Sequence, residues 1–154
     1  MTKHSVTQGT FTLERTFPNC TPARAFSAFS TPEGKQRWFG GPPEEWKNVE
    51  RAFDFRVGGR EREVGKFKTG TVSAFDALYY DIVDDERIIY AYEMHLDGKK
   101  ISVSLATITF EADGTNCKLT MHEDGAFLDG YDDNASRKHG TEFLLDALAS
   151  ALAR

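Results

Sequence analysis

A chain of 154 residues with 40% hydrophobic and 28% charged content has the apolar matter for a single core, which excludes a disordered protein. Its 19 Lys and Arg against 24 Asp and Glu leave a formal net charge of −5, which excludes a general nucleic-acid binder needing a basic face against phosphates. Cys20 and Cys117 form no CxxC pair, no apolar run approaches the ~20 residues of a membrane span, and the opening MTKHSVTQGT lacks an apolar signal core; the expectation is a cytoplasmic protein with reduced thiols, no thiolate metal centre and no membrane insertion.

Along the chain, residues 1–8 read as a loose polar tail ahead of one domain over 9–154. GTFTLERTF sets Phe11, Leu13 and Arg15 against Thr10, Thr12 and Glu14, a strand closed by Phe17. Thr21 and Thr31, each followed by proline, are N-caps for two short helices. The first has an apolar face of Ala25, Phe26 and Phe29; the second delivers Trp38 and Phe39 before the loop GGPPEEW. VERAFDFRV alternates Phe53, Phe55 and Val57 against Asp54 and Arg56. GREREVGKFKTG is polar enough to be an exposed or edge strand, and TVSAFDALYYDIV is half-buried. ERIIYAYEMHL places Ile88, Tyr90, Tyr92, Met94 and Leu96 on one phase. Asp97-Gly98 and Asp113-Gly114 are hairpin turns. Between them Ile101, Val103 and Leu105 share a parity opposite to that of Ile108 and Phe110, which predicts a bulge near Ala106-Thr107. Cys117, Leu119 and Met121 are in phase on the last strand. From about residue 132 the pattern turns helical, with a stripe of Phe143, Leu144, Ala147, Leu148, Ala151 and Leu152 after a polar first half. Strand, two short helices, about six hairpin-joined strands and one long helix make an α+β protein with a mostly antiparallel sheet.

Gly58-Gly59 raises the question of a phosphate loop. No GxGxxG or GxxxxGK[ST] pattern is present, and REREVGKFK after the glycines alternates where a phosphate cradle needs a helix N-terminus. The pair reads as a hairpin turn. A metal set of His95, His122 and Glu123 is conceivable, but HExxH is absent. No GxSxG elbow surrounds Ser102 or Ser104, and Cys117 lies in an apolar phase. Asp132-Asp133 suits a first helical turn, and other acidic pairs sit at turns. Asp54 and Arg56 share a strand face and read as an outer pair or, if inward, as mutual partners. Nothing calls for a cofactor or a catalytic set.

Four segments together resemble one family in order and spacing: FTLERTFPNCTPARAFSAFSTPEGKQRWF, FDFRVGGR, DDERIIYAYEM and GTEFLLDALASAL. It is the family of activator of heat-shock-protein-90 ATPase homologues, within the START-like or Bet v 1-like helix-grip group, and the chain looks like the stand-alone bacterial type. The resemblance spans about residues 9 to 153. It implies a curved antiparallel sheet of seven strands gripping the long C-terminal helix, with a cavity between them that in the wider group holds apolar molecules. Where the family commonly has Gly-Trp, this chain has Gly140-Thr141, which reshapes the space under the helix.

The cavity candidates are Trp38, Phe39, Arg56, Tyr80, Tyr90, Tyr92, Ser104, His122 and Phe143. Aromatics with polar tips suit an amphipathic ligand, and Ser102, Ser104 and Ala106 leave room on a central strand. Three functions compete. The first is a binding module for a small hydrophobic or amphipathic molecule. The second is a cyclase- or hydrolase-type enzyme in the same cavity, which requires convergent polar groups and a shifted pKa. The third is a chaperone-assisting domain with a protein partner. A two-fold homodimer is an assembly open to a small soluble protein of this kind, though no residue pattern calls for it.

Overall fold

The computed structural model describes residues 3–154. Seven antiparallel strands form one sheet in the order β1-β7-β6-β5-β4-β3-β2. The strands are β1 (Val6–Phe17), β2 (Trp46–Phe53), β3 (Arg60–Phe67), β4 (Val72–Val83), β5 (Arg87–Leu96), β6 (Lys99–Asp113) and β7 (Asn116–Leu128). Helices α1 (Pro22–Ser30) and α2 (Pro32–Gln36) lie between β1 and β2, and α3 (Asn134–Leu152) ends the chain. This is the expected helix-grip α+β architecture. β1, the first strand, pairs with β7, the last, and consecutive strands pair from β2 through to β7.

The caps follow from side-chain chemistry. Thr21 accepts the Arg24 amide, Thr31 the Gly34 amide and Asp133 the Ser136 amide, each satisfying a donor that the first turn cannot. The core between sheet and helices is aromatic: Phe26, Phe29 and Phe110 pack edge-to-face, as do Trp38 and Phe39. Cys117 and Cys20 are buried and free.

Several expectations shift. β1 begins at Val6, so the segment read as tail is partly strand; residues 1 and 2 lie outside the described residues. Backbone pairing of Val6 with Leu128 needs no apolar side chains, and Gly9 lets Asn134 of α3 approach to donate to the Thr10 carbonyl at 3.0 Å. β2 ends at Phe53. Asp54 and Arg56 therefore sit in the turn before β3, closed by Gly58 at φ +83, and the hairpin reading of Gly58-Gly59 stands. β3 is an interior strand between β2 and β4, and its inward carboxylates are buried, so it is not the exposed edge its polarity suggested.

β6 keeps one phase from Ser102 through Phe110, and no bulge occurs at Ala106-Thr107. The irregularity lies instead at Ile101, opposite the Met94/His95 step, and turns Val103 and Leu105 to the exposed side. On α3 the buried line is Thr141, Leu145, Leu148 and Leu152, rotated from the predicted stripe, so that Phe143 is 42% exposed. Leu148→Ala should therefore cost about 2–5 kcal/mol and Phe143→Ala less than about 0.5 kcal/mol in urea denaturation; equal losses would place the wrong helix face on the sheet.

Candidate functional site

The concave face of the sheet carries charge as well as aromatic surface. Small residues make the first part of the site. Ser102, Ser104 and Ala106 on β6 point inward, and Ser104 stands between Tyr92 of β5 and Gly125 of β7. A Cβ at Gly125 would come within 3.1 Å of the Ser104 hydroxyl and the Phe127 ring. Into this low floor α3 lowers Arg137, whose side chain is only 11% exposed. Its Nη2 donates to Ser102 Oγ at 2.7 Å and to Asp132 Oδ2 at 2.9 Å, and its Nη1 to Tyr92 Oη at 3.1 Å. The guanidinium also lies over the Phe127 and Tyr92 rings. The Tyr92 hydroxyl in turn donates to Glu123 Oε1 at 2.6 Å.

A second charged group lies on β3. Glu61 and Glu63 point inward and are almost fully buried. Lys35 of α2 reaches Glu61 at 3.0 Å beneath the Phe39 ring, and Tyr79 donates to the same carboxylate. Arg51 of β2 pairs with Glu63, which Asn48 also bonds at 2.9 Å. Between the two groups runs an aromatic floor in which Phe75 lies 5.0 Å from Tyr92 and Tyr79 lies 5.7 Å from Tyr90, centroid to centroid.

Burial sets the proton affinities. Desolvation pushes the Glu123 carboxyl above the ordinary glutamate range, against the Tyr92 hydrogen bond and the Arg137 charge; it pushes Glu63 up likewise, against Arg51. The Tyr79, Tyr90 and Tyr92 phenols all rise, chiefly by desolvation and then by nearby carboxylates. Tyr90, lying between the two groups, feels both Glu123 and Glu61. The cluster thus holds a donor, an acceptor and a fixed cation out of water.

The chain matches a family profile described as Activator of Hsp90 ATPase homolog 1-like protein over residues 19–153. The chain belongs to that family. A structure of an uncharacterized protein from Rhizobium leguminosarum is 44% identical, with a TM-score of 0.93 and 99% of each chain covered. One from Rhizobium loti is 39% identical, with a TM-score of 0.87 over 96% of this chain and 99% of that one. A protein from Chromobacterium violaceum is 26% identical, with a TM-score of 0.75 over 94% and 97%. Comparison with curated proteins gave no match.

The sequence candidates divide. Tyr90, Tyr92 and Ser104 face the concave interior, and Tyr92 and Ser104 meet at Arg137. Trp38 is buried beside Phe29 and spends its indole N–H on the Ala28 carbonyl at 2.8 Å, while Phe39 is half-buried over Lys35. The other four face outward. Arg56 pairs with Asp54 on an exposed turn. Tyr80 is the extra residue of a bulge between Tyr79 and Asp81 and is 58% exposed. His122 lies on the convex side, bonded to Thr12 and Asp124, with its strand neighbour Glu123 on the opposite face; the imagined His122–Glu123 pairing therefore cannot converge. Phe143 lies on the outer side of α3. A groove of about 590 Å³ lies at the β2–β3 end, lined by residues 43–49 and 66–68, and none of the nine candidates lines it.

Arg137, Lys35, Glu61, Glu63, Arg51 and Asp132 were missed. For Arg137 a signal existed, because it continues the buried line Thr141, Leu145, Leu148, Leu152 one turn toward the N-terminus. β3 offered no such signal: its charges alternate on both faces, and burial comes from α2 and β2.

Two outcomes follow. Lys35→Ala strands the buried Glu61 carboxylate and should cost about 3–5 kcal/mol, whereas Arg56→Ala on its exposed turn should cost less than about 0.5 kcal/mol; equal urea midpoints would deny the buried pair. For Glu123, a raised folded pKa means that the native state keeps a proton the unfolded chain has lost. Stability then falls as pH rises from the ordinary glutamate range through the raised value. Glu123→Gln removes that titration while still accepting from Tyr92. Its urea midpoint relative to wild type should rise as pH climbs above the ordinary glutamate range, and parallel profiles would show that Glu123 ionises normally among Tyr92, Arg137 and His122.

Proposed function

We propose that this protein is a binding module for a small amphipathic molecule held between the concave face of the sheet and the first half of α3. The observation behind this reading is the Arg137–Tyr92–Glu123 cluster at the end of an otherwise aromatic floor. Apolar surface supplies affinity to such a ligand, and a few fixed polar groups supply its orientation. Family membership is consistent with either a ligand-binding or an Hsp90-related role; the buried polar cluster favours the first, because a protein-docking surface gains nothing from charges sealed beneath a helix.

One observation favours a second reading, an enzyme of the cyclase or hydrolase kind. Tyr92 and Glu123 share a short hydrogen bond, and burial raises the carboxyl. A carboxylic acid kept neutral in this way can donate a proton as a general acid.

Native mass spectrometry of freshly purified protein, followed by extraction, tests the binding reading. A stoichiometric small apolar or amphipathic species is expected, and Tyr92→Phe combined with Ser104→Leu, which fills the floor, should reduce its occupancy at least about tenfold. An unliganded protein that also takes up none of a lysate's small-molecule fraction would overturn it. Recovery of the extracted species chemically changed after incubation with the protein would favour the enzyme.

A further inference from the structure

We infer that Arg137 is an anchor for a carboxylate, and that Asp132 occupies this anchor as an internal stand-in which the ligand replaces. The inference rests on the binding reading above and names the ligand's polar end.

Arg137 sits in the first turn of α3, where the helix dipole disfavours a cation, and it is buried there as well. Both circumstances require an anion beside it. Two carboxylates are near. Glu123 reaches Arg137 only through the Tyr92 hydroxyl, and its burial favours the neutral form. The direct counter-charge is Asp132.

Asp132 differs from the other partners of the guanidinium. Ser102, Ser104 and Tyr92 project from interior strands of the sheet. Asp132 belongs to the connection 129–133 between β7 and α3, which turns through positive φ at Asp129 and Gly130 and exposes Tyr131. One of its oxygens accepts the Asp133 amide and the other the Arg137 Nη2. A ligand carboxylate taking the second position would keep the Ser102 and Tyr92 hydrogen bonds and release Asp132 to water. Charge at the guanidinium is conserved in the exchange, because one carboxylate leaves as another arrives. A second cation stands at the rim, where Lys99 lies 5.5 Å from the Tyr131 ring. Beside Arg137 stand Phe127 and Tyr92, both buried, and the half-buried Met94, so a ligand body reaches them only as the 129–133 connection moves away with Asp132. The chemical class is therefore a monocarboxylate with a compact apolar or aromatic body.

The test compares two probes with the same body, 4-phenylbutyrate and 4-phenylbutan-1-ol, by isothermal titration calorimetry on the full chain. The acid should bind at least about tenfold more tightly than the alcohol. Asp132→Asn, a loop substitution that retains an acceptor for the Asp133 amide, should tighten the acid several-fold and widen the ratio of acid to alcohol affinity. Arg137→Gln should bring the acid down to the level of the alcohol. Equal binding of the two probes, or an acid affinity that Asp132→Asn leaves unchanged, overturns the carboxylate anchor while the binding reading stands. Failure of both probes also overturns the anchor, and the binding reading is then decided by the extracted ligand alone.

Discussion

A guanidinium placed under a helix has to be surrounded by oxygens, and the fold is arranged around that demand. Arg137 finds Ser102, Ser104 and Tyr92 on three positions of two neighbouring strands, and Asp132 on the connection that leads into its own helix. A side chain at Gly125 would press on the Ser104 hydroxyl and the Phe127 ring that border the guanidinium. The line of small side chains on β6, the entry angle of α3 and the buried face of that helix are thus one requirement seen from three sides.

The same logic recurs at the other end of the concave face. Glu61 and Glu63 are bearable only because α2 brings Lys35 and β2 brings Arg51 and Asn48 to them. Buried ion pairs contribute little net stability compared with apolar residues of equal volume. They do penalise any arrangement in which the partner is missing, so α2, five residues long, is held in register by its lysine as well as by Trp38. The concave face is an aromatic floor between two polar ends, with the phenols of Tyr79, Tyr90 and Tyr92 running from one to the other. Among the described residues no helix is long and apolar enough to cross a membrane.

Legibility in the sequence followed the physics of each element. Tyr90 and Tyr92 were readable as inward because strict alternation along ERIIYAYEM leaves no other face for Ile88. Ser102 and Ser104 were readable as room, though not as hydrogen-bond partners. Val103 and Leu105 misled, since apolar residues on the convex side imitate an inward phase and the bulge at Ile101 has no composition of its own. Tyr80 misled in the same way, lying beside Tyr79 with a bulge between strand registers deciding which of the two turns inward.

By itself the sequence determined the order and kind of the elements, the caps at Thr21 and Thr31, the turns at Gly58 and Asp97-Gly98, and an α+β class with an antiparallel sheet, because these depend on periodicity and on backbone preferences local to a few residues; the helix-grip class came from the family resemblance. Only the tertiary structure decided that Glu61, Glu63, Glu123 and Arg137 are interior. A charged side chain looks the same in sequence whether water or a partner surrounds it, and the partners here come from elements 12 to 45 residues away.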